Sequence, residues 1–462
     1  MTNWSAAAVT SGTDSNSVAA QPSWKQTVAG VLGNTLEWYD FSLFGFFSDI
    51  IADQFFPPEQ NENDNLMKSF AIFGGAFLMR PLGGLLIGYI GDKHGRKKAL
   101  TRSLFLMAIP TTAMAFLPTY ASAGIISPIL LVICRLIQGI SVGGQLPASL
   151  IYTVEKHERS KWGYYGALPM TAANVGTLAG NLAGACMRQF LTEAQLVSWG
   201  WRIPFLSGIL IALVAIWLRK YGDDVHTTAG VYDGADSQIK NPLTLAFAKE
   251  NRLALLSNTL VPIIWAGGFY LSFVWMAIFM VDLLDPPISG AFWINFGALL
   301  LGMTFMLPLA GSLSDRFGRV KLMTISGIFL IIGGPISLIF ISKGNGFLAF
   351  ISQLVLGLLL SGFGGPLPAW MCESFSPQVR LTSASLGYDL AHSVVGGFSP
   401  LFATALYNSY GTVSPGWLYV LYGLCSLSGL YVNVCFGKGE QPEESPEPGS
   451  NDEGNQELPE IA

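Results

Sequence analysis

A short charged turn occurs twice in this chain, and its repetition constrains the fold more than any other feature. Gly88 to Lys98 reads GYIGDKHGRKK, and Gly311 to Lys321 reads GSLSDRFGRVK. Each copy follows an apolar run and carries an Asp with a cation directly after it, then a Gly and an Arg. Aligning Asp92 with Asp315 gives an offset of 315 minus 92, or 223 residues, close to half of the 462-residue chain. That offset implies two structurally equivalent halves.

The turns are polar islands in an apolar chain. Hydrophobic residues make up 51% and charged residues 12%, where a soluble domain carries about 25% charged. Runs of roughly 20 residues with almost no charge recur, each long enough to cross a bilayer core of about 30 Å. Their centres lie near Gly33, Leu78, Met107, Ile137, Ala173 and Ile209, then near Ala266, Leu301, Ile332, Leu359, Val394 and Tyr422. They predict twelve spans in two groups of six.

Residues 1–22 lack the cationic start of a cleavable signal peptide and are expected to be a disordered lead-in. Residues 23–220 form the first expected bundle, 221–250 a linker and 251–436 the second bundle. The tail, 437–462, is rich in Glu, Pro, Ser and Gly and is expected to be disordered. It holds 8 of the 30 acids and one of the 25 Lys and Arg, so the rest of the chain has 30 minus 8, or 22, acids against 25 minus 1, or 24, Lys and Arg. With the amino terminus inside, the inside turns gather Lys93, Arg96, Lys97, Lys98, Arg102, Lys156, Arg159, Lys161 and Arg380 among others. The outside turns hold only Lys68, Arg188, Arg202 and Lys343. The positive-inside rule then puts both termini in the cytoplasm. The cysteines show no CxxC spacing and read as packing residues.

The duplicated turn resembles the loop motif of the major facilitator superfamily, between the second and third spans of each half. Four stretches narrow the resemblance: GNTLEWYDFSLFGFF from Gly33, RPLGGLLIGYIGDKHGRKK from Arg80, RLIQGISVGG from Arg135 and SWGWRIPF from Ser198. They resemble the metabolite:proton symporter branch, which includes proline/betaine, 2-oxoglutarate, citrate and shikimate transporters. The likeness runs from about Gly30 to Leu430. It implies an all-α polytopic membrane protein, with twelve transmembrane helices in two pseudo-symmetric six-helix bundles. It also implies a functional monomer in a bacterial inner membrane that takes up a small polar metabolite with protons by alternating access. A zwitterion such as proline or betaine is the first expectation and a di- or tricarboxylate the second; an exporter or a non-transporting sensor are the rivals. Two positions depart from the branch: Gln145 stands where GGE is usual in span 4, and Asp389 where span 11 usually has Asn.

Several residue patterns can carry this chemistry. Asn34, Glu37 and Asp40 lie three apart and share a helix face. A charged residue at mid-membrane costs about 2.5 to 3.5 kcal/mol on insertion scales, so that face should line a cavity. Desolvation there favours the neutral acid, which suits reversible protonation. The competing role is a structural pair with a cation such as Arg135. Arg135, Gln138 and Gln145 follow one face of span 4, and the resemblance assigns Arg135 to proton coupling. A snorkelling helix-end arginine is the alternative. Asp389 and His392, one turn apart, are a candidate proton relay or a helix-end pair. Substrate contacts are expected from Asn34, Tyr39, Arg80, Gln138, Gln145 and Asn174. Trp265, Tyr270 and Trp370 join them, with Trp275 completing an aromatic wall suited to a cation or suited merely to packing. Gly176, Gly180 and Gly184 read as close helix packing.

By the resemblance, Gly88, Asp92, Gly95 and Arg96 in the first turn and Asp315, Gly318 and Arg319 in the second form a gate. The alternative is that their cations only set topology. The Gly-rich runs at Gly83 and Gly143 follow no strand and GxxxxGK[ST] is absent, so they are not nucleotide loops. His157 and Glu158 lack the HExxH spacing for zinc. No enzyme activity, cofactor, metal or nucleic-acid partner is expected; the partners are substrate, protons and the lipid bilayer.

Overall fold

The computed structural model describes residues 24–57, 62–94, 96–143, 145–155, 157–221, 247–376 and 380–436. The expected lead-in and acidic tail lie outside the described residues, as does the expected linker from 222 to 246.

Eight helical runs are long and apolar enough to cross a membrane. They are α2 (Asp64–Ile87), α6 (Glu193–Trp217), α7 (Arg252–Leu283), α8 (Ala291–Phe317), α9 (Arg319–Ile341), α10 (Gly346–Glu373), α11 (Arg380–Tyr410) and α12 (Ser414–Cys435). Four more complete twelve among the described residues. These are α1 (Trp24–Phe46), α3 (Arg96–Met114), the shorter apolar α4 (Ile126–Val142) and α5 (Trp162–Phe190). In lipid a backbone must satisfy its own polar groups, and a chain with these apolar lengths does so as helices. Of these four, α4 is apolar but only 17 residues long, and the other three are polar for identifiable reasons. Glu37 and Asp40 interrupt α1, the turn's cations open α3, and Asn, Thr and Gly line α5.

The chain divides into two compact units, Met1–Ser149 with Pro169–Gly234, and Leu150–Leu168 with Ala235–Ala462. In the first, helices cross at glycines. A Cβ on Gly139 would meet the Ala76 carbonyl and one on Gly143 the Arg80 carbonyl, so α2 and α4 touch backbone to backbone. Gly176 and Gly180 bring α5 equally close to α1 at Thr35 and Ser42. This is the small-residue packing that replaces the hydrophobic effect between helices in lipid. Ser103 and Ser141 exchange hydrogen bonds to each other's carbonyls, at 2.9 and 2.7 Å, and tie α3 to α4.

The WGWRIPF stretch has a mechanical role in this unit. Arg202 donates to the Ala115 and Leu117 carbonyls at 2.9 and 2.8 Å and so caps the end of α3, while the Trp201 ring is fully buried beside Phe55. A bidentate pair of Arg188 with Asp49, closest at 2.6 Å, joins the last turn of α5 to the first turn of the helix Ser48–Phe55. Each charge sits at the helix end whose dipole favours it.

In the second unit α7 is buried over nearly all of residues 261–280 and touches α8, α10, α11 and α12. It carries two π-helical stretches, Tyr270–Trp275 and Phe279–Leu283. Such wide turns leave carbonyls needing other donors. Gln353 donates to the Ser272 carbonyl at 2.9 Å and to Asn295 at 2.8 Å, and Asn295 donates to the Phe273 carbonyl at 2.9 Å. Further π-helical stretches occur at Leu300–Thr304 and His392–Gly396.

Candidate functional site

The first unit holds a charged interior. Asp40, Glu37, Arg80 and Arg135 are all at most 2% exposed. Asp40 and Arg135 meet through Gln138. The Gln138 amide nitrogen donates to Asp40 Oδ2 at 2.8 Å and to Thr111 Oγ1 at 2.9 Å, and its oxygen accepts from Arg135 Nη1 at 3.0 Å. Thr111 passes its own proton to the Met107 carbonyl at 2.7 Å. The Arg135 guanidinium also lies over the rings of Phe44, Phe41 and Phe73, at 4.3, 4.5 and 5.7 Å from their centroids. It therefore does not snorkel: the structure buries it at the heart of the unit.

Asn34 donates to Ser149 at 3.3 Å and Arg80 lies over Phe77 at 5.6 Å. Asn174 is buried on α5, and Tyr39 is half-buried beside Asp40. The side chain of Gln145 lies outside the described residues.

The second unit holds a mostly neutral, aromatic interior. Trp265 lies against Gly364, whose Cβ would strike the ring, and Tyr270 faces Gly396. Trp370 is buried, and its indole N–H finds no hydrogen-bond partner among the described residues. Trp275 differs: it donates to Thr404 at 3.0 Å and stacks on Phe279 at 4.7 Å, so it is a packing residue. Asp389 and His392 are buried in α11. His392 Nδ1 lies 2.9 Å from the Tyr388 carbonyl and its ring stacks on Tyr388 at 3.9 Å. Ser272 with Tyr419 and Ser399 with Tyr422 form hydrogen bonds of 2.7 and 3.0 Å nearby.

The second copy of the turn is also described. Asp315 accepts from the backbone N–H groups of Gly163 and Tyr164, at 2.8 and 3.0 Å, and so caps the start of α5. Arg319 reaches Asp315 at 3.1 Å and Glu373 at 2.7 Å. Gly318 separates α8 from α9 with φ at 94°, a backbone state that a side chain disfavours. Arg380 pairs with Glu155 at 2.6 Å and lies over Trp162. The acids Glu155 and Glu373 were not among the sequence candidates. Their one signal is a carboxylate at the end of an apolar helix, next to a cation-rich turn. The first copy, Gly88, Asp92, Gly95 and Arg96, lies outside the residues described in full.

Twelve long helices enclosing buried ionisable groups are the architecture of a polytopic membrane protein. Residues 26–221 match the "Sugar (and other) transporter" family and residues 289–460 the "Major Facilitator Superfamily" family. The citrate-proton symporter of Klebsiella pneumoniae is 32% identical over 86% of this chain and 88% of its own. A putative proline/betaine transporter of Staphylococcus aureus is 29% identical over 86% and 84%. The solved proton:xylose symporter XylE shares the fold, with a TM-score of 0.70 at 19% identity over 89% of this chain and 95% of its own. The chain belongs to the major facilitator superfamily, in its metabolite:proton symporter branch. Members of this family are transporters, not enzymes.

Proposed function

We propose that this protein couples the uptake of a small zwitterionic metabolite, such as proline or betaine, to protons by alternating access. The observation that carries the coupling is Asp40: a fully buried carboxylate tied through Gln138 to a fixed guanidinium. A group so placed alternates between charged and neutral forms when the surrounding access changes. Glu37, Asp389 and His392 are the other groups able to carry the proton.

The balance of buried charge favours a zwitterion. Among the described residues of the first unit two buried carboxylates, Glu37 and Asp40, stand against two guanidiniums, Arg80 and Arg135. Arg135 is occupied by Gln138 and three aromatic rings. Among its described residues the first unit buries no surplus of positive charge for a tricarboxylate. A carboxylate substrate is the second reading, favoured by the citrate-proton relative and by Arg80 as an anion contact. Asn34, Tyr39, Gln145, Asn174, Trp265, Tyr270 and Trp370 complete the proposed substrate contacts.

Asp315, Gly318 and Arg319, with Glu373, act as a gate: an anion on a helix amino terminus is worth about 0.3 to 1 kcal/mol, enough to hold and still release. The protein acts as a monomer in a bacterial inner membrane, with both termini cytoplasmic. The test is purified protein in liposomes with an inward proton gradient and labelled proline, betaine, 2-oxoglutarate, citrate and shikimate. Accumulation of proline or betaine is the expected result. Accumulation of none, with folded insertion verified, sinks the uptake reading; accumulation of citrate alone selects the second.

A further inference from the structure

The Gln138 carboxamide is placed between two groups that it can satisfy in only one orientation. Arg135 offers donors alone, so it must face the amide oxygen. On the nitrogen side, Thr111 gives its proton to the Met107 carbonyl and so accepts from Gln138. The remaining amide proton goes to Asp40 Oδ2. Both amide protons are taken by protein atoms, which moves Gln138 away from the substrate contacts. The other carboxylate oxygen, Asp40 Oδ1, is buried and has no hydrogen-bond partner among the described residues.

We propose that Gln138 is a positioning residue for the coupled proton: it holds Asp40 by Oδ2, so that the proton is taken up and released at Oδ1. The inference rests on the reading of Asp40 as the coupling carboxylate. A proton arriving from water adds to Oδ1 and forms one O–H bond. The carboxylate charge is neutralised, and Oδ2 becomes the acid's carbonyl and still accepts from Gln138. No other bond breaks, so the network tolerates both protonation states without repacking. Among the described residues, Tyr39 on the same helix and Arg135 on α4 interact electrostatically with Asp40, Glu37 lies one turn away on that helix, and Cys134 on α4 lies beside Arg135. The neighbouring α3 contributes neutral Thr111, whose hydroxyl also lies within hydrogen-bond reach of Asp40, and α2 contributes the Phe73 ring over Arg135. With the guanidinium enclosed by three rings, contact between Arg135 and the carboxylate runs through the amide.

Infrared difference spectroscopy of the purified protein in liposomes, between alkaline and acidic pH, tests this without a transported substrate. The wild type should show a neutral-acid C=O band that Asp40→Asn lacks, at the position of a hydrogen-bonded carbonyl. In Gln138→Met, similar in length but without the donor, the band should move to higher wavenumber. Gln138→Leu should do the same, and serves should the Met variant fail to fold. A band unmoved in a folded variant overturns the role of Gln138 while leaving Asp40 as the coupling group. A wild type without an Asp40-dependent band overturns both this inference and the coupling reading.

Discussion

The two units bury polar groups of different kinds. The first buries whole charges: Asp40, Glu37, Arg80 and Arg135, with rings stacked on the cations. The second buries mostly neutral donors and acceptors, with Gln353, Asn295, Ser272 and Tyr419 serving the carbonyls and hydroxyls around the π-helical stretch of α7. Buried charges respond to protons and membrane potential, whereas neutral networks hold shape. On the proposed reading, the difference places energy coupling chiefly in the first unit and the shaping of an aromatic surface in the second.

That comparison breaks most visibly at Asp40. One charge crossing 100 mV is worth about 2.3 kcal/mol, or close to a fifty-fold concentration ratio. Asp40→Asn should bring gradient-driven accumulation in liposomes down to near equality, while exchange of substrate across the membrane continues. Asp389→Asn should lower accumulation less. Equal losses from the two would erase the assigned division.

The glycines sharpen the contrast next. Gly143 faces the Arg80 carbonyl, a backbone atom held by its helix, whereas Gly364 faces the edge of the Trp265 ring. Gly143→Ala should cost about 1 to 3 kcal/mol of stability through overpacking, read as a lowered melting temperature in detergent. Gly364→Ala should spare stability and raise KM, because the ring turns to make room.

A smaller effect is expected at the second charged turn. Asp315→Asn keeps the cations and loses the anion at the start of α5, worth up to about 1 kcal/mol, or roughly a five-fold change in the balance of conformers. Fluorophore distances across the transporter would report it, and an unchanged balance with an unchanged rate leaves the turn a topological signal only. Effects of similar size separate two tryptophans. Trp275→Phe should cost about 0.5 to 1.5 kcal/mol of stability through its lost hydrogen bond to Thr404, with KM unchanged. Trp370→Phe should change KM and leave stability alone.

Much of this was legible in the sequence because it repeats or follows a period. The turn pair, the apolar lengths and the three-residue spacing of Asn34, Glu37 and Asp40 are one-dimensional signals. So is the glycine spacing that packs α5 on α1. The bridge from Arg135 through Gln138 to Asp40 is not, since it joins residues 98 positions apart in the chain. Sequence spacing put Gln138 on the polar face of its helix but could not tell a substrate contact from a spacer between two charges. Trp275 was grouped with an aromatic wall for the same reason: its partner, Thr404, lies 129 residues away. Glu373 and Glu155 were overlooked because single acids at helix ends carry no pattern, and their importance rests on Arg319 and Arg380 folding against them.

The most direct measurement is proton movement itself. Protein in liposomes loaded with a pH-sensitive dye is mixed with substrate in the absence of any imposed gradient, and the internal acidification is followed. The wild type should acidify the lumen in proportion to substrate entry, and Asp40→Asn should admit substrate without acidification. Acidification by Asp40→Asn at the wild-type proton-to-substrate ratio would contradict the account.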